Sequence, residues 1–329
     1  MARWEFTKGL HDIGRGCFAY LQPPGGTSQT NAGLIVDGEA SLLVDTLYDL
    51  AHTRAMLAAM RDAAPAAARI GTVVNTHADG DHTWGNQLVA GADIVGHVTL
   101  AEEFANVTPA VIMDVLKHRD QYGPGAQMLY EEIGLEFRFD DIVLTPPTRT
   151  FEHELGLKVG DKAVRLLHVG PAHSRADTLV WVPADRVVYT GDILFVKVHP
   201  TIWSGPVSKW LKACDLMLSW DVDVVVPGHG PLTDKDGIRR LQHYLRYIHD
   251  EARKRFDAGL GYYEAACDIA LDPYADWIAA ERIVFNVAYL YREFGATNAP
   301  DAFQTQNDVA RYRAQRLSAT RRAVLPPGE

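Results

Sequence analysis

Seven residues carry the chemistry of this chain. Four crowd a single turn: His77, Asp79, Asp81 and His82 fall within Thr76-His77-Ala78-Asp79-Gly80-Asp81-His82, directly behind the apolar run Ile70–Val74. The other three hold the same position relative to runs of their own. His173 follows Ala163–Val169, Asp192 follows Arg186–Tyr189, and His229 follows Val222–Val226. Short apolar runs bounded by turn residues read as buried strands. Strand C-termini on one parallel-type sheet face converge on a common cleft. Imidazole nitrogens and carboxylate oxygens are ligands for divalent ions. Seven of them gathered in one cleft would hold two such ions, and the chemistry expected there is metal-assisted hydrolysis.

The four motifs resemble those of the metallo-β-lactamase superfamily. They occur in order: HADGDH, a His in the turn Gly170-Pro171-Ala172-His173-Ser174, Gly191-Asp192, and Pro227-Gly228-His229-Gly230. The resemblance spans about residues 30 to 235, and four separated motifs in order are far more specific than any one alone. It implies an α/β fold, the four-layer αββα sandwich, here with a helical insertion and a helical C-terminal extension. It implies one metal site of His77, Asp79 and His173, a second of Asp81, His82 and His229, and Asp192 as a bridging carboxylate. Asp81 is further implied to orient the metal-bound hydroxide or shuttle its proton. The cofactor expected is a pair of divalent ions, zinc first, with manganese or iron as alternatives.

One position departs from the family pattern. The first motif usually reads HxHxDH, so Asp79 stands where a second His is expected. A carboxylate adds negative charge and a harder ligand, which shifts preference from zinc toward iron or manganese. It also resembles the HxExDH form of the flavo-diiron oxygen reductases, which makes a diiron redox or oxygen-handling protein the alternative. No flavin-binding segment accompanies it. The shorter Asp side chain equally leaves open a protein in which Asp79 is no ligand and only one ion binds.

Finer likenesses point to a substrate class. The stretch Asn75–Asn86, the loop Trp203-Ser204-Gly205-Pro206 and the tail stretch Glu281–Asn286 are similar to an actinobacterial subgroup of aromatic polyketide cyclase-thioesterases. That implies hydrolysis of a thioester or ester-like bond in a small-molecule substrate, with an acyl carrier protein holding the chain. A lactone or β-lactam-type hydrolase is a further alternative. Trp203, central in a Pro/Gly-rich loop, is the expected platform for a flat substrate; Trp84 reads as packing.

Composition excludes several other classes. The 329 residues carry a formal net charge of −10 with 47% hydrophobic residues, ordinary for a globular protein and unsuited to nucleic acid, whose phosphates need clustered Lys and Arg. An acidic enzyme would dock an acidic carrier protein only through a local basic patch, for which Lys117, Arg119 and Arg239-Arg240 are the candidates. No apolar signal core or membrane span is evident, and three scattered cysteines argue against a disulfide framework. A cytoplasmic protein without membrane partners is expected. The nine histidines outside the motifs read as structural or surface residues.

The catalytic domain is expected to occupy residues 1–235. Strands at Gly33–Val36 and Ser41–Val44, a helix over Leu50–Ala64 and another from about Thr83 to Val89 frame the first motif. Residues 99–151, with Phe104, Met113, Tyr122, Met128, Tyr130, Phe137 and Phe139, form an insertion expected to close over an apolar substrate as a lid. Residues 236–329 form a helical extension, with helices over Ile238–Leu260 and Trp277–Phe294 and a start at Asp272-Pro273. This extension packs over the site or builds a homodimer contact. Arg321 to Glu329 reads as a disordered end.

Overall fold

The computed structural model describes residues 4–324, with side chains to residue 318. A seven-stranded sheet opens the chain: β1 (Gly9–Gly14), β2 (Cys17–Leu21), β3 (Ala32–Asp37) and β4 (Ala40–Val44) form an antiparallel meander. After α1 (Leu50–Ala63), β5 (Thr72–Val74) pairs parallel with β4. Next come the single turn α2 (Gly80–Thr83), then β6 (Asp93–His97) and the helical insertion of α3 (Val98–Glu103), α4 (Pro109–Lys117), α5 (Arg119–Tyr122) and α6 (Pro124–Leu129). Strand β7 (Arg149–Phe151) closes the sheet beside β6.

The second sheet holds β8 (Glu154–Val159), β9 (Lys162–His168), β10 (Thr178–Val182) and β11 (Val187–Tyr189). Helix α7 (Val207–Ser219) then crosses to β12 (Val224–Val226), which pairs parallel with β11. Four more helices follow: α8 (Lys235–Asp257), α9 (Tyr262–Asp268), α10 (Ile283–Glu293) and α11 (Ala302–Val324). Among the described residues, no helix is long and apolar enough to cross a membrane.

Adjacent apolar residues in each strand separate to opposite faces, as the two-residue period requires. Ile35, Leu42, Val74 and Val95 face Leu166, Val180, Val187 and Val224 between the sheets. Their neighbours Leu34, Leu43, Val73 and Ile94 meet Met56, Leu57 and Met60 of α1. On the far side, Leu179, Val188 and Val225 meet Trp210, Leu241, Leu245 and Val287 of α7, α8 and α10. Helix, sheet, sheet and helix make the four-layer αββα sandwich. Burial on both faces explains why these strands read as continuous apolar runs.

Several expectations need correction. The motif residues come from two sheets, not one: β5 lies in the first, and β9, β11 and β12 in the second. The last three still point the same way, because β10 runs antiparallel to both of its neighbours. The helix expected over Thr83–Val89 is the short α2 plus a 3₁₀ turn at Asn86–Val89. Buried Asn86 ties this stretch to Asn75 and to the Thr145 carbonyl. Asp272–Tyr274 is a lone 3₁₀ turn, and α10 begins at Ile283, leaving Trp277 as core. Helix α11 continues through Val324, so Arg321–Val324 is helical, while residues 325–329 lie outside the described residues.

The two sheets approach closely where Gly33 meets Tyr189. A Cβ on Gly33 would lie 2.3 Å from the Tyr189 ring. The ring cannot easily retreat, because its hydroxyl donates to the carbonyls of Phe18 at 3.1 Å and Leu34 at 3.3 Å. Overpacking of this kind costs about 1–3 kcal/mol. Gly33→Ala is expected to lower the free energy of unfolding by that amount, measured as a fall in the denaturant midpoint with an unchanged slope.

Candidate metal centre

The seven motif residues meet at the seam between the sheets. His77 and Asp79 follow β5, and Asp81 and His82 lie on α2. His173 lies in the turn after β9, Asp192 follows β11, and His229 follows β12. Asp192, with 5% of its side chain exposed, sits at the centre: its Oδ1 is 3.2 Å from His82 Nε2. Its Oδ2 lies 3.4 Å from His229 Nε2, 3.5 Å from His173 Nε2 and 4.0 Å from His77 Nε2. Asp79 Oδ2 lies 3.3 Å from His173 Nε2 and 3.7 Å from His77 Nε2, and Asp81 Oδ2 lies 3.7 Å from His229 Nε2. The position that departs from the family pattern therefore points into the cluster.

All four imidazoles present Nε2 inward, and each Nδ1 is held from behind. His173 Nδ1 donates to the Thr201 carbonyl at 2.7 Å, and His229 Nδ1 to the Gly25 carbonyl at 3.2 Å. His82 Nδ1 donates to Asp45 Oδ2 at 2.9 Å. Thr76 Oγ1 donates to the same oxygen at 2.8 Å, and so accepts from His77 Nδ1 at 2.9 Å. A hydrogen bond that holds Nδ1 as the donor leaves the lone pair on Nε2. The whole set is thus preset in the ligating tautomer.

Asp45 and Asp177 are functional residues that the motif reading missed. Asp45 follows β4 as His77 follows β5, so the same strand-end rule applied to Leu42-Leu43-Val44-Asp45 would have found it. Asp177 shapes the turn that carries His173. It accepts from the backbone of Ala172 and Ser174 at 3.0–3.1 Å and from Ser174 Oγ at 2.7 Å. Gly228 also has a specific reason: a Cβ there would stand 2.0 Å from Asp192 Oδ1.

The donors fit divalent ions. Among the described residues, three overlapping groups each place their ligand atoms within 4.8 Å of one another. They are His77/Asp79/His173, His77/His82/Asp192 and Asp81/His82/His229. His77 Nε2, His82 Nε2 and Asp192 Oδ1 are buried without a hydrogen bond, a costly arrangement unless another group satisfies them. The field also favours positive charge here. Burial alone would lower His173, yet the charges of Asp192 and Asp79, with the Asp79 hydrogen bond, push it up to about 9. Burial likewise opposes His82, which Asp192, Asp45 and Asp81 hold well above the ordinary imidazole value. Asp79 is held well below the carboxylate range against burial by its bonds to His173 and His77. Cations that bind imidazole and carboxylate displace such protons.

Above the cluster opens a cleft of about 620 Å³. Its walls include Tyr48, Phe195, Trp203, Arg175, Arg282 and the loop at Thr27-Ser28. Trp203 is 49% exposed and packs edge-on against Phe285 with centroids 5.0 Å apart. Trp84 is buried and stacks on Tyr48 at 4.9 Å, as packing.

The insertion contributes Glu103, Asn106 and Val107 to the cleft wall. Several of its aromatics pack on protein instead: Phe137 and Phe139 on Tyr48 and Trp84, and Phe104 on Leu100. Met128 joins the core under α10. The chain's apolar pattern marked these residues as burying something, and what they bury is protein. The proposed basic docking patch is also largely spoken for: Arg239 and Arg240 pair with Asp236 and Asp276, and Arg119 lies over Tyr130.

A family model described as the metallo-beta-lactamase superfamily matches residues 25–229. The 2,4-dinitroanisole O-demethylase subunit alpha of Nocardioides sp. (strain JS1661) is 24% identical over 248 residues, 73% of this chain and 59% of that protein. The chain thus spans less than two thirds of that relative's length. A metallo-beta-lactamase from Pontibacter korlensis superposes with a TM-score of 0.54 at 16% identity, over 73% of this chain and 99% of that one. A stereoselective inverting sec-alkylsulfatase from Pseudomonas sp. superposes with a TM-score of 0.66 at 17% identity, over 89% of this chain and 51% of that one. At these identities the structural likeness speaks for the fold.

Asp45 orients His82 directly and His77 through Thr76, so it offers a sharp test of the site. An Asn there has one oxygen for the three donors now served by Asp45: Thr76 N, Thr76 Oγ1 and His82 Nδ1. Removing such an outer partner costs roughly 10–100-fold in metal affinity. Chelator competition on Asp45→Asn is expected to show a loss of that size with a native circular dichroism spectrum. Unchanged affinity would mean that the inner cluster orients itself.

Proposed function

This chain belongs to the metallo-beta-lactamase superfamily, and from that premise we propose that its site hydrolyses a thioester or ester-like bond in a substrate with a flat, apolar body. The broad class is a metal-dependent hydrolase. The observation that carries the finer reading is a set of preset, unsatisfied donors on the floor of a cleft whose exposed wall is the Trp203 ring. His77, Asp79 and His173 would hold one divalent ion, Asp81, His82 and His229 a second, and Asp192 faces both sets. When bound, such ions polarise a carbonyl and lower the pKa of water.

The chain's own groups supply the rest. Asp81, with 15% of its side chain exposed, lies at the cleft floor, where it can hold a proton taken from attacking water. Trp203 offers a ring face to a flat acyl group, and Tyr48 and Phe195 complete an apolar wall. Burial, with the nearby charges of Asp81 and Asp79, pushes the Tyr48 phenol well above its ordinary value, so it lines the cleft in its neutral form. Such a cleft suits an aromatic polyketide held on a carrier protein, with ring closure before release. The demethylase relative, whose name specifies an aromatic ether, supports the flat substrate. It also favours a second reading in which the bond cleaved is a C–O bond of an aryl ether. The diiron reading rests on the carboxylate at position 79.

Elemental analysis of protein purified without added metal, followed by a panel of aryl acyl thioesters and aryl ethers, tests these readings. About two zinc or manganese ions per chain, lost in His82→Ala together with thioester cleavage, is the expected result. Trp203→Ala is expected to raise KM about tenfold with little change in kcat, from the roughly 1–1.5 kcal/mol of an aromatic contact. Two irons per chain with no cleavage of any ester would turn the reading to redox chemistry. Cleavage of the ethers alone would select the second reading.

A further inference from the structure

We propose that Arg282 is an oxyanion receptor that selects substrates bearing a carboxylate or phosphate group away from the scissile bond. The inference rests on the hydrolase reading above and names its substrate class more closely. Two arginines line the cleft. Arg175 is neutralised by Glu102 at 3.0 Å and Glu103 at 3.7 Å. Arg282 differs: none of the ion pairs among the described residues involves it, although it lies in a chain of net charge −10. Burial pushes the Glu132 carboxyl up against the charges of Arg313 and Arg282, and Glu132 is already bound by Arg313 at 2.8 Å.

The guanidinium is nevertheless held in place. Its Nη1 donates to the His199 carbonyl at 2.9 Å, its Nη2 approaches Thr27 Oγ1 at 3.4 Å, and its carbon lies 5.8 Å from the centre of the Phe195 ring. Phe195 in turn stacks on His229 at 5.1 Å with the rings nearly parallel. The charge is therefore anchored on the cleft wall, one aromatic ring removed from the metal cluster. A guanidinium has five N–H donors in a planar fork, and carboxylate and phosphate oxygens match that fork. Two neutral acceptors leave part of it for a ligand.

Arg282 and Phe285 also stand three residues apart, on one face at the start of α10. Phe285 props Trp203. One helical turn thus supplies a platform for a flat body and a cation for its anionic end. That pairing describes an acid with an aromatic core.

Calorimetric titration of the metal-loaded protein with 2-naphthylacetate, its neutral amide and 2-naphthyl phosphate tests the inference. Wild type is expected to bind at least one of the two anions about 10–100-fold more tightly than the amide, the range of a hydrogen bond to a charged group. Arg282→Gln, which keeps an amide donor for the His199 carbonyl, is expected to bring anion and amide to parity without weakening the amide. Arg282→Lys should keep part of the preference. The tighter of the two anions identifies the source of the oxyanion. A preference that survives Arg282→Gln would place the anion on the metals and overturn the inference. Equal weakening of all three probes would make Arg282 a structural anchor, which also overturns it. Parity in wild type with thioester cleavage intact removes this inference alone. Discrimination without cleavage of any ester upholds it and removes the hydrolase reading instead.

Discussion

The structure is organised around one expensive act, the burial of the Asp192 carboxylate among four imidazoles. An ionised carboxylate withdrawn from water costs several kcal/mol unless charge and hydrogen bonds replace its hydration. Positive charge at the Nε2 positions, as protons that bound cations would displace, supplies that replacement: against burial, the charges of His229, His82 and His173 hold Asp192 well below the ordinary carboxylate range. Turning every Nε2 inward obliges every Nδ1 to find an acceptor outside. The acceptors come from four segments: Asp45 after β4, Thr76 after β5, the Gly25 loop and the Thr201 loop. Satisfying one buried carboxylate therefore ties the ends of both sheets to the two loops that shape the cleft mouth.

The Thr201 loop shows how far that dependence reaches. Its carbonyl orients His173, and Trp203 N and Ser204 N donate back to the His173 carbonyl. The loop is gripped from the other side by α10, where Asn286 accepts from Ile202 N and donates to the Pro200 carbonyl, both at 3.0 Å. Tyr289 holds the Ser204 carbonyl and Arg282 the His199 carbonyl. Helix α10 lies beyond residues 25–229, the segment matched by the family model. The part of the chain outside the family pattern thus indexes a ligand inside it and furnishes the cleft with Arg282 and the support for Trp203. A fold carries a site without dictating what it does, and elements around the site shape what it can bind. Here the graft and the reaction centre share backbone hydrogen bonds.

Much of this was legible in the chain itself. Apolar runs ending in His or Asp marked the strand ends, because strands buried on both faces have no polar alternation to blur their limits. Asp45, directly after Val44, has the same placement and is legible by the same rule. Asp177 gave no such signal, since its work is to accept from backbone in a turn whose shape only the structure reveals. The insertion shows the limit of such patterns: Phe137 and Phe139 carry the pattern of burial, which does not say whether substrate or protein does the burying, and here Tyr48 and Trp84 do. Helix α10 was visible by its period, but the contacts that matter run from its first turn to a loop some eighty residues earlier, a distance at which periodicity is silent.

The charge count at the centre gives position 79 its meaning. Asp79, Asp81 and Asp192 together set three carboxylates against the positive charge of whatever ions the four imidazoles share. An imidazole at position 79 would leave two. The extra negative charge stabilises bound dications but makes them weaker acids toward water, and it favours harder ions than zinc. Asp79 keeps 39% of its side chain open to the cleft, so this charge also faces the entering substrate. An anionic substrate would be repelled by such a floor unless its charge were held elsewhere. A guanidinium one ring away on the wall would answer that repulsion, so on the proposed reading the carboxylate at position 79 and the arginine at position 282 would be two halves of one electrostatic arrangement, keeping an anionic group away from the cluster and leaving the bond to be cleaved facing it.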